Sequence, residues 1–83
     1  LKQGIVIKVK NGNYYIDDNR VSSRQLVYSL RKIMAQQDPQ NIPFLIVEAD
    51  KSSNFDNLSP IMIAGSTAGF DKFKFAVIQG SSQ

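Results

Sequence analysis

The sequence predicts an α+β domain in which two helices pack on one face of a mixed four-stranded sheet, in the order β-β-α-β-α-β. Four short segments rich in β-branched and aromatic residues are bounded by turn signals, and two longer segments carry apolar residues at helical spacing. The length of 83 residues suits one small domain, and the hydrophobic share of 42% is enough for a folded core. We assign residues 1–83 to this single domain, with residues 4–78 as its folded core and residues 79–83 as a flexible tail.

A β-hairpin opens the chain. Residues 5–10 are β-branched and partly alternating, which is typical of a strand with one buried face. Asn11-Gly12 then favours a type I′ turn, because both central positions of that turn need a positive φ. Residues 14–16 return as the second strand. Residues 17–19 form another turn cluster, and residues 20–21 are expected to be a short extension without a strand of their own.

The first helix begins at a capping box. Ser22 is the expected N-cap, and Gln25 three residues later completes the Ser-x-x-Gln pattern. Asp38-Pro39 ends the helix, since the residue before a proline disfavours the α conformation. One apolar stripe follows the cap, at Leu26, Val27, Leu30, Ile33 and Met34. The opposite, solvated side carries Arg24, Ser29, Arg31, Lys32 and Gln36.

The second half of the chain predicts strand, helix and strand. Residues 44–47 are a continuous apolar run, typical of a central strand buried on both faces, and residues 73–78 are the last strand. Pro60 is expected in the first turn of the second helix, which therefore begins between residues 56 and 59, and Gly69 supplies its left-handed cap. The final β-α-β unit should be a right-handed parallel crossover. The predicted buried stripe of the second helix is Leu58, Ile61, Met62, Gly65 and Ala68.

Composition argues against catalysis and against a metal or cofactor site. The chain contains no histidine and no cysteine, which removes the usual general base, the activated thiol and most transition-metal ligands. Its seven carboxylates are dispersed at turns and helix boundaries, where such groups normally cap backbone N–H groups. The net charge of +3 is mild, and the basic residues are scattered. No segment has the ~20 apolar residues of a membrane-spanning helix.

Four local features together resemble a known family. They are Asn11-Gly12 in the hairpin, Val21-Ser22 before the first helix, Ala49-Asp50-Lys51 after the apolar strand, and Ala68-Gly69-Phe70 at the end of the second helix. In this order and at these spacings they are similar to the periplasmic domain of the ExbD/TolR biopolymer-transport family. The resemblance extends over about residues 4–77.

The resemblance implies a role in energy transduction across the cell envelope. Family members carry one transmembrane helix before this domain, and the proton-carrying aspartate lies in that helix. They assemble with an ExbB/TolQ-like stator protein, use the proton-motive force, and support transport across the outer membrane through a TonB/TolA-like partner. The chain begins at Leu1 and not at Met, so we expect a fragment that starts after the inner-membrane anchor and lies in the periplasm. Peptidoglycan stays open as a ligand.

Six residues are predicted to bind a partner. The carboxyl end of a strand in a β-α-β sheet is where ligands bind, although an Asx turn and a solvated lysine would explain the same residues. An extended segment of the TonB/TolA-like partner is expected to pair along a sheet edge, next to the loop 50–55. Lysines near the last strand fit a protected edge. The predicted residues are Asp50, Lys51, Asn54, Phe55, Lys72 and Lys74.

The sequence also predicts a homodimer, and two other functions compete with the coupling role. The strands carry apolar residues on both faces of the sheet, whereas the helices cover only one face. The uncovered apolar residues predict a homodimer that would bury them. A small basic nucleic-acid-binding α+β domain is the alternative, suggested by the sequence pI of 9.4 and three tyrosines. It lacks the aromatic-basic strand motif that stacks bases. A hydrolase fragment is disfavoured by the missing histidine and cysteine.

Overall fold

A computed structural model describes residues 4–51 and 53–78, which form a five-stranded mixed sheet with two helices packed on one face. The spatial order of the strands is β3-β2-β1-β4-β5. β1 pairs in parallel with β4, and β4 pairs in parallel with β5, while β1–β2 and β2–β3 are antiparallel. The predicted tail, residues 79–83, lies outside the described residues. The elements are β1 Gly4–Lys10, β2 Asn13–Ile16, β3 Asn19–Val21, α1 Leu26–Ala35, β4 Phe44–Asp50, α2 Phe55–Ala68 and β5 Phe73–Ile78.

The prediction of four strands was wrong, because the segment after the second turn is a strand. Arg20 pairs with Tyr15 and Val21 pairs with Tyr14, which extends the hairpin by β3. The turn between β2 and β3 repeats the geometry of the first, with φ of 52° at Asp17 and 65° at Asp18. Three residues with two polar side chains carry almost no strand signal by themselves. Pairing with β2 makes this segment a strand, so a tertiary contact decides its conformation.

The middle strand of the sheet is β1, and β4 lies beside it between β1 and β5. The apolar run of β4 was therefore correctly placed in the interior, although not at the centre. Its residues alternate strictly between the two faces, and Leu45, Val47 and Ala49 are buried under the helices. In the parallel pairing of β1 with β4, the neighbours of these three residues on the same face are Ile5, Ile7 and Val9.

The core lies between the sheet and the helix pair. From β2 it receives Tyr14 and Ile16, and from α1 it receives Leu26 and Leu30 as fully buried side chains. The predicted stripe of α1 is confirmed, since Val27, Ile33 and Met34 are partly buried against the same cluster. The complete buried set is Ile7, Val9, Tyr14, Ile16, Leu26, Leu30, Leu45, Val47, Ala49, Ile61, Ala64 and Phe70.

The predicted capping box of the first helix is present. The Gln25 N–H donates to the Ser22 hydroxyl at 3.3 Å, and the Ser22 N–H donates to the Gln25 side-chain carbonyl at 3.1 Å. A single 3₁₀ turn at Ser23–Gln25 precedes α1. Gly69 ends α2 with a φ of 111°, as predicted for a left-handed cap.

Two details of α2 were predicted wrongly. The helix begins at Phe55, before the predicted range of 56–59, because Asn54 and Asn57 cap each other reciprocally. Pro60 is therefore the sixth helical residue and not in the first turn, and the Asp56 carbonyl receives no bond from its nitrogen. Met62 is 39% exposed and does not belong to the buried stripe.

The helix α2 comes close to the sheet at Gly65. A Cβ at Gly65 would lie 2.6 Å from Leu45 Cδ2 and 2.9 Å from a Phe73 ring carbon, so the helix touches β4 and β5 at this glycine. Met62 lies one turn earlier on the helix and is exposed.

Candidate partner-binding edge

The strand β5 is an edge of the sheet, with β4 on one side only. The Leu45 N–H donates to the Lys72 carbonyl at 2.8 Å, which fixes the direction of the peptide groups that follow. In a parallel ladder these directions alternate, so the N–H and C=O groups of Phe73, Phe75 and Val77 point away from β4. β5 thus offers a row of backbone donors and acceptors to a further strand.

The exposed side chains next to this row are apolar. Phe75 is 47% exposed and Val77 is 59% exposed, although their register with Val47 and Ala49 places them on the face that the helices cover. The helix layer therefore covers β5 at Phe73 and leaves Phe75 and Val77 exposed. We call the strand β5 with its exposed side chains Phe75 and Val77 the β5 edge. It combines unpaired backbone groups with apolar side chains, which is the chemistry that binds an extended peptide.

The predicted residues at the carboxyl end of β4 form a turn held by hydrogen bonds. The Asp50 carboxylate accepts from the Ser53 hydroxyl at 2.9 Å and from the Asn11 N–H at 3.2 Å. Asn54 caps α2, and Lys51 is exposed. Asp50 and Asn54 therefore have structural partners, which accords with the Asx-turn alternative. The structure describes the backbone of Phe55 as the first residue of α2.

The predicted lysines at the start of β5, Lys72 just before the strand and Lys74 within it, lie elsewhere. The Lys74 ammonium is 4.6 Å and the Lys72 ammonium 5.8 Å from the centre of the Phe44 ring. Lys74 pairs in register with Ile46, so both belong to the open face of the sheet, opposite the helices, at the amino end of β5. Asp50 pairs with Ile78 at the other end of the strand. The structure thus does not gather the six predicted residues into one place.

A hydrogen bond joins the hairpin to the start of α2. The Tyr14 hydroxyl donates to the Asn57 carbonyl at 2.7 Å, and burial raises the pKa of the Tyr14 hydroxyl. Since α2 follows β4 in the chain and β2 lies on the other side of β1, this bond joins parts of the fold that are not neighbours in the sheet.

Sequence reasoning missed the members of the β5 edge as candidate binding residues. The only signal was the alternation of Phe73, Phe75 and Val77, which indicates one apolar face. Whether that face is covered depends on how far the helices reach, and the sequence does not give that distance. Met62 carried a misleading signal, because its spacing from Leu58 and Gly65 fits a buried stripe.

The described residues contain neither a cluster that could hold a metal ion nor a helix that could span a membrane. Within residues 4–51 and 53–78, no three carboxylates converge on a position that could hold a metal ion. In the same part of the chain, no helix has the length and apolarity needed to cross a bilayer. The described part of the chain is a five-stranded sheet with two helices and one partly apolar edge strand.

The family of the chain follows from a comparison with protein families. The family described as "Biopolymer transport protein ExbD/TolR" matches residues 1–80, so the chain belongs to the ExbD/TolR family. This family is non-enzymatic and transport-associated, and it is an inner-membrane family with a periplasmic domain. A comparison with curated proteins gave no match.

Proposed function

We propose that this chain is the periplasmic coupling domain of an envelope complex driven by the proton-motive force, of the ExbB–ExbD–TonB or TolQ–TolR–TolA type. In this proposal a transmembrane helix anchors it beside an ExbB/TolQ-like stator, and the domain itself transmits force by binding. Family membership supports this role over the nucleic-acid-binding alternative. The transmembrane helix before this domain carries the proton-binding aspartate beside the stator, and the domain supplies a docking surface.

The partner is an extended periplasmic segment of a TonB- or TolA-like protein, bound along the β5 edge. The single observation that carries this proposal is the exposed, unpaired and apolar strand β5, with Phe75 and Val77 beside outward-facing peptide groups. An added strand would satisfy these peptide groups and cover the apolar side chains at the same time. Backbone pairing accounts for affinity, and pockets between alternate side chains account for register.

Lysines at the two ends of β5 would set the direction in which the extended segment binds. Lys51 is exposed at the Asp50 turn, and Lys72 and Lys74 lie at the opposite end on the open face. In our proposal these groups contact charges that flank the extended segment, and Asn54 and Phe55 border the first of the two ends. Peptidoglycan is a further ligand that the same exposed lysines would hold.

The test is a titration of the chain with the periplasmic peptide of its partner, followed by amide NMR shifts. We expect the largest shifts at Phe73, Phe75 and Val77. Val77→Lys should weaken binding about tenfold, since a charge is placed where an apolar side chain would be covered. Ile63→Lys is the matched control, because Ile63 is an equally exposed β-branched residue on the outer side of α2. Shifts confined to the outer side of α1, around Arg24, Arg31 and Lys32, would contradict the proposal.

A second copy of this chain competes for the same surface. Symmetric pairing of two β5 strands would also satisfy the outward peptide groups and cover the edge. A membrane anchor would raise the effective concentration, so the free chain should associate weakly. Sedimentation at millimolar concentration is expected to show dimers that Val77→Lys abolishes. A monomer at that concentration, together with peptide binding, would leave the edge to the partner alone.

A further inference from the structure

The basic residues are spread along the chain, but one segment lacks acidic residues and therefore carries the net positive charge. Residues 20–37 contain four basic residues and no acidic residue, whereas the rest of the chain has six basic and seven acidic residues. The whole positive charge of +3 therefore comes from β3, the capping turn and α1. Scattered charges keep a small domain soluble, but this separation of charge along the chain is not required for solubility.

The fold turns this segment into a cationic outer surface. Tyr28, Arg31 and Lys32 lie on the side of α1 opposite the buried Leu26 and Leu30. Arg24 lies in the 3₁₀ turn that precedes α1, and all four residues are exposed. The one ion pair in the described part of the chain joins Lys8 to Asp18, so none of these cations is held by a carboxylate there. The Lys32 ammonium lies 5.4 Å from the centre of the Tyr28 ring.

Exposed apolar side chains accompany the cations. Tyr28 on α1 and Ile63 on α2 are each 65% exposed, the highest values among large hydrophobic residues in the described ranges. Ile63 lies opposite the buried Ile61 and Ala64, so it points out of the same helix layer as Tyr28. The outer side of this layer thus combines basic groups with an aromatic ring and an aliphatic side chain. This combination suits the boundary between phosphate headgroups and acyl chains.

We propose that the outer side of the helix layer lies on an anionic phospholipid surface, with Arg24, Arg31 and Lys32 on the headgroup phosphates and Tyr28 and Ile63 at the acyl boundary. The occupant is chosen by charge complementarity, and the inference rests on the proposed function in placing the domain beside a membrane. The contacting side is distinct from the β5 edge, so a domain resting on lipid keeps its partner-binding strand accessible.

Binding to vesicles tests the inference. We expect the chain to cosediment with vesicles of equal parts phosphatidylcholine and phosphatidylglycerol at low ionic strength, and to remain in solution with pure phosphatidylcholine. Each basic residue at an anionic surface strengthens binding about fivefold. Replacing Arg24, Arg31 and Lys32 together with glutamine should therefore weaken vesicle binding about 100-fold.

A second triple variant tests whether vesicle binding depends on these three residues or only on the net charge of the chain. Lys8, Lys10 and Lys51 are also exposed, and replacing them with glutamine lowers the net charge by the same amount. We expect this control to weaken binding less than about fivefold, within the long-range effect of one charge. Equal losses in the two triple variants would overturn the inference, and so would equal binding to neutral and anionic vesicles.

The remaining outcomes distinguish this inference from the proposed function. Binding to an acidic peptide such as polyglutamate without binding to vesicles would assign the surface to an acidic protein segment, and would overturn the lipid assignment. Normal binding of the partner peptide at Val77 with no vesicle binding would remove this inference and leave the coupling function intact. Tyr28→Ala should weaken vesicle binding without changing its dependence on salt, since the ring carries no charge.

Discussion

The two edges of the sheet differ in length, polarity and exposure. β3 has three residues, of which Asn19 and Arg20 are exposed and polar, and the Arg20 guanidinium donates to Asn13 at 3.2 Å. β5 has six residues, and its exposed side chains Phe75 and Val77 are apolar. Short, charged edges resist pairing with other chains, whereas long apolar edges invite it.

The residues of β3 discourage pairing with another strand, whereas the residues of β5 do not. If exposure of an edge were a by-product of a small sheet, both ends would carry similar residues. Instead β3 is short, carries polar and charged side chains, and leads directly into the capping turn of α1. The strand β5 is longer, and the helices do not cover its residues Phe75 and Val77. An unprotected apolar edge in a folded domain indicates an interaction surface.

The largest effect is expected where α2 meets the β5 side of the sheet. Gly65→Val should reduce the free energy of unfolding by about 3 kcal/mol, because its side chain would overlap Leu45 and the Phe73 ring. Urea unfolding measures it. Ser66→Val is the control: Ser66 is the next residue and is exposed, so only helix propensity changes, by less than about 1 kcal/mol. Equal losses would mean that the close approach at Gly65 does not limit packing.

A second variant removes the protection of β3 and so tests the contrast directly. Asn19→Val combined with Arg20→Val makes this edge apolar, and we expect self-association to strengthen about tenfold in sedimentation experiments. Arg31→Val removes the same charge from the exposed surface of α1, outside the sheet, and should leave self-association unchanged. If both variants self-associate equally strongly, the loss of one positive charge explains the change, and the apolar character of the β3 edge does not.

The hydrogen bond between the two sides of the molecule has a smaller effect. Tyr14→Phe removes the donor to the Asn57 carbonyl and should cost about 1 kcal/mol at neutral pH. Burial raises the pKa of Tyr14 above its ordinary value of 10.0. Its contribution to stability is therefore complete below pH 10.0 and is lost as the pH rises through the folded value.

The measurement is unfolding by urea at neutral and alkaline pH. The wild-type chain should lose stability above pH 10.0 more steeply than Tyr14→Phe does. Tyr28→Phe is the matched control. Because the Tyr28 ring is exposed, loss of its hydroxyl should leave the free energy of unfolding unchanged at both neutral and alkaline pH. Parallel pH profiles for wild type and Tyr14→Phe would show that the hydroxyl is not protected by burial.

The sequence predicted the locally encoded parts of this fold. Asn11-Gly12 has the positive φ values of 50° and 78° that a type I′ turn requires, and the Ser22–Gln25 box is formed as expected. Family membership was also predicted correctly from motif order. These features depend on a few neighbouring residues, so a single sequence contains their cause.

The errors concern features that depend on distant parts of the chain. β3 is a strand because β2 is available to pair with it. Met62 is exposed although its spacing fits the buried stripe of α2, since helical spacing alone does not report what a helix packs against. The β5 edge is a candidate site only once the strand order is known, since an alternating apolar strand in the interior would be covered on both sides.

The smallest expected effect lies in the connection that leads from α1 on the β3 side to β4 on the β5 side. The Asp38 carboxylate accepts from the Gln40 N–H at 2.9 Å and from the Asn41 side-chain amide at 3.1 Å, and these bonds lower the pKa of Asp38 below its ordinary value of 3.8. A lowered folded pKa gives a stabilisation that is present above pH 3.8 and is lost as the pH falls through the folded value. Asp38→Asn should therefore flatten the acid side of the stability profile in urea unfolding. Asp71→Asn is the control, because Asp71 is exposed and accepts no such bond in the described part of the chain. An acid profile that changes equally in both variants would mean that net charge, and not the turn at Asp38, sets the acid sensitivity of this connection.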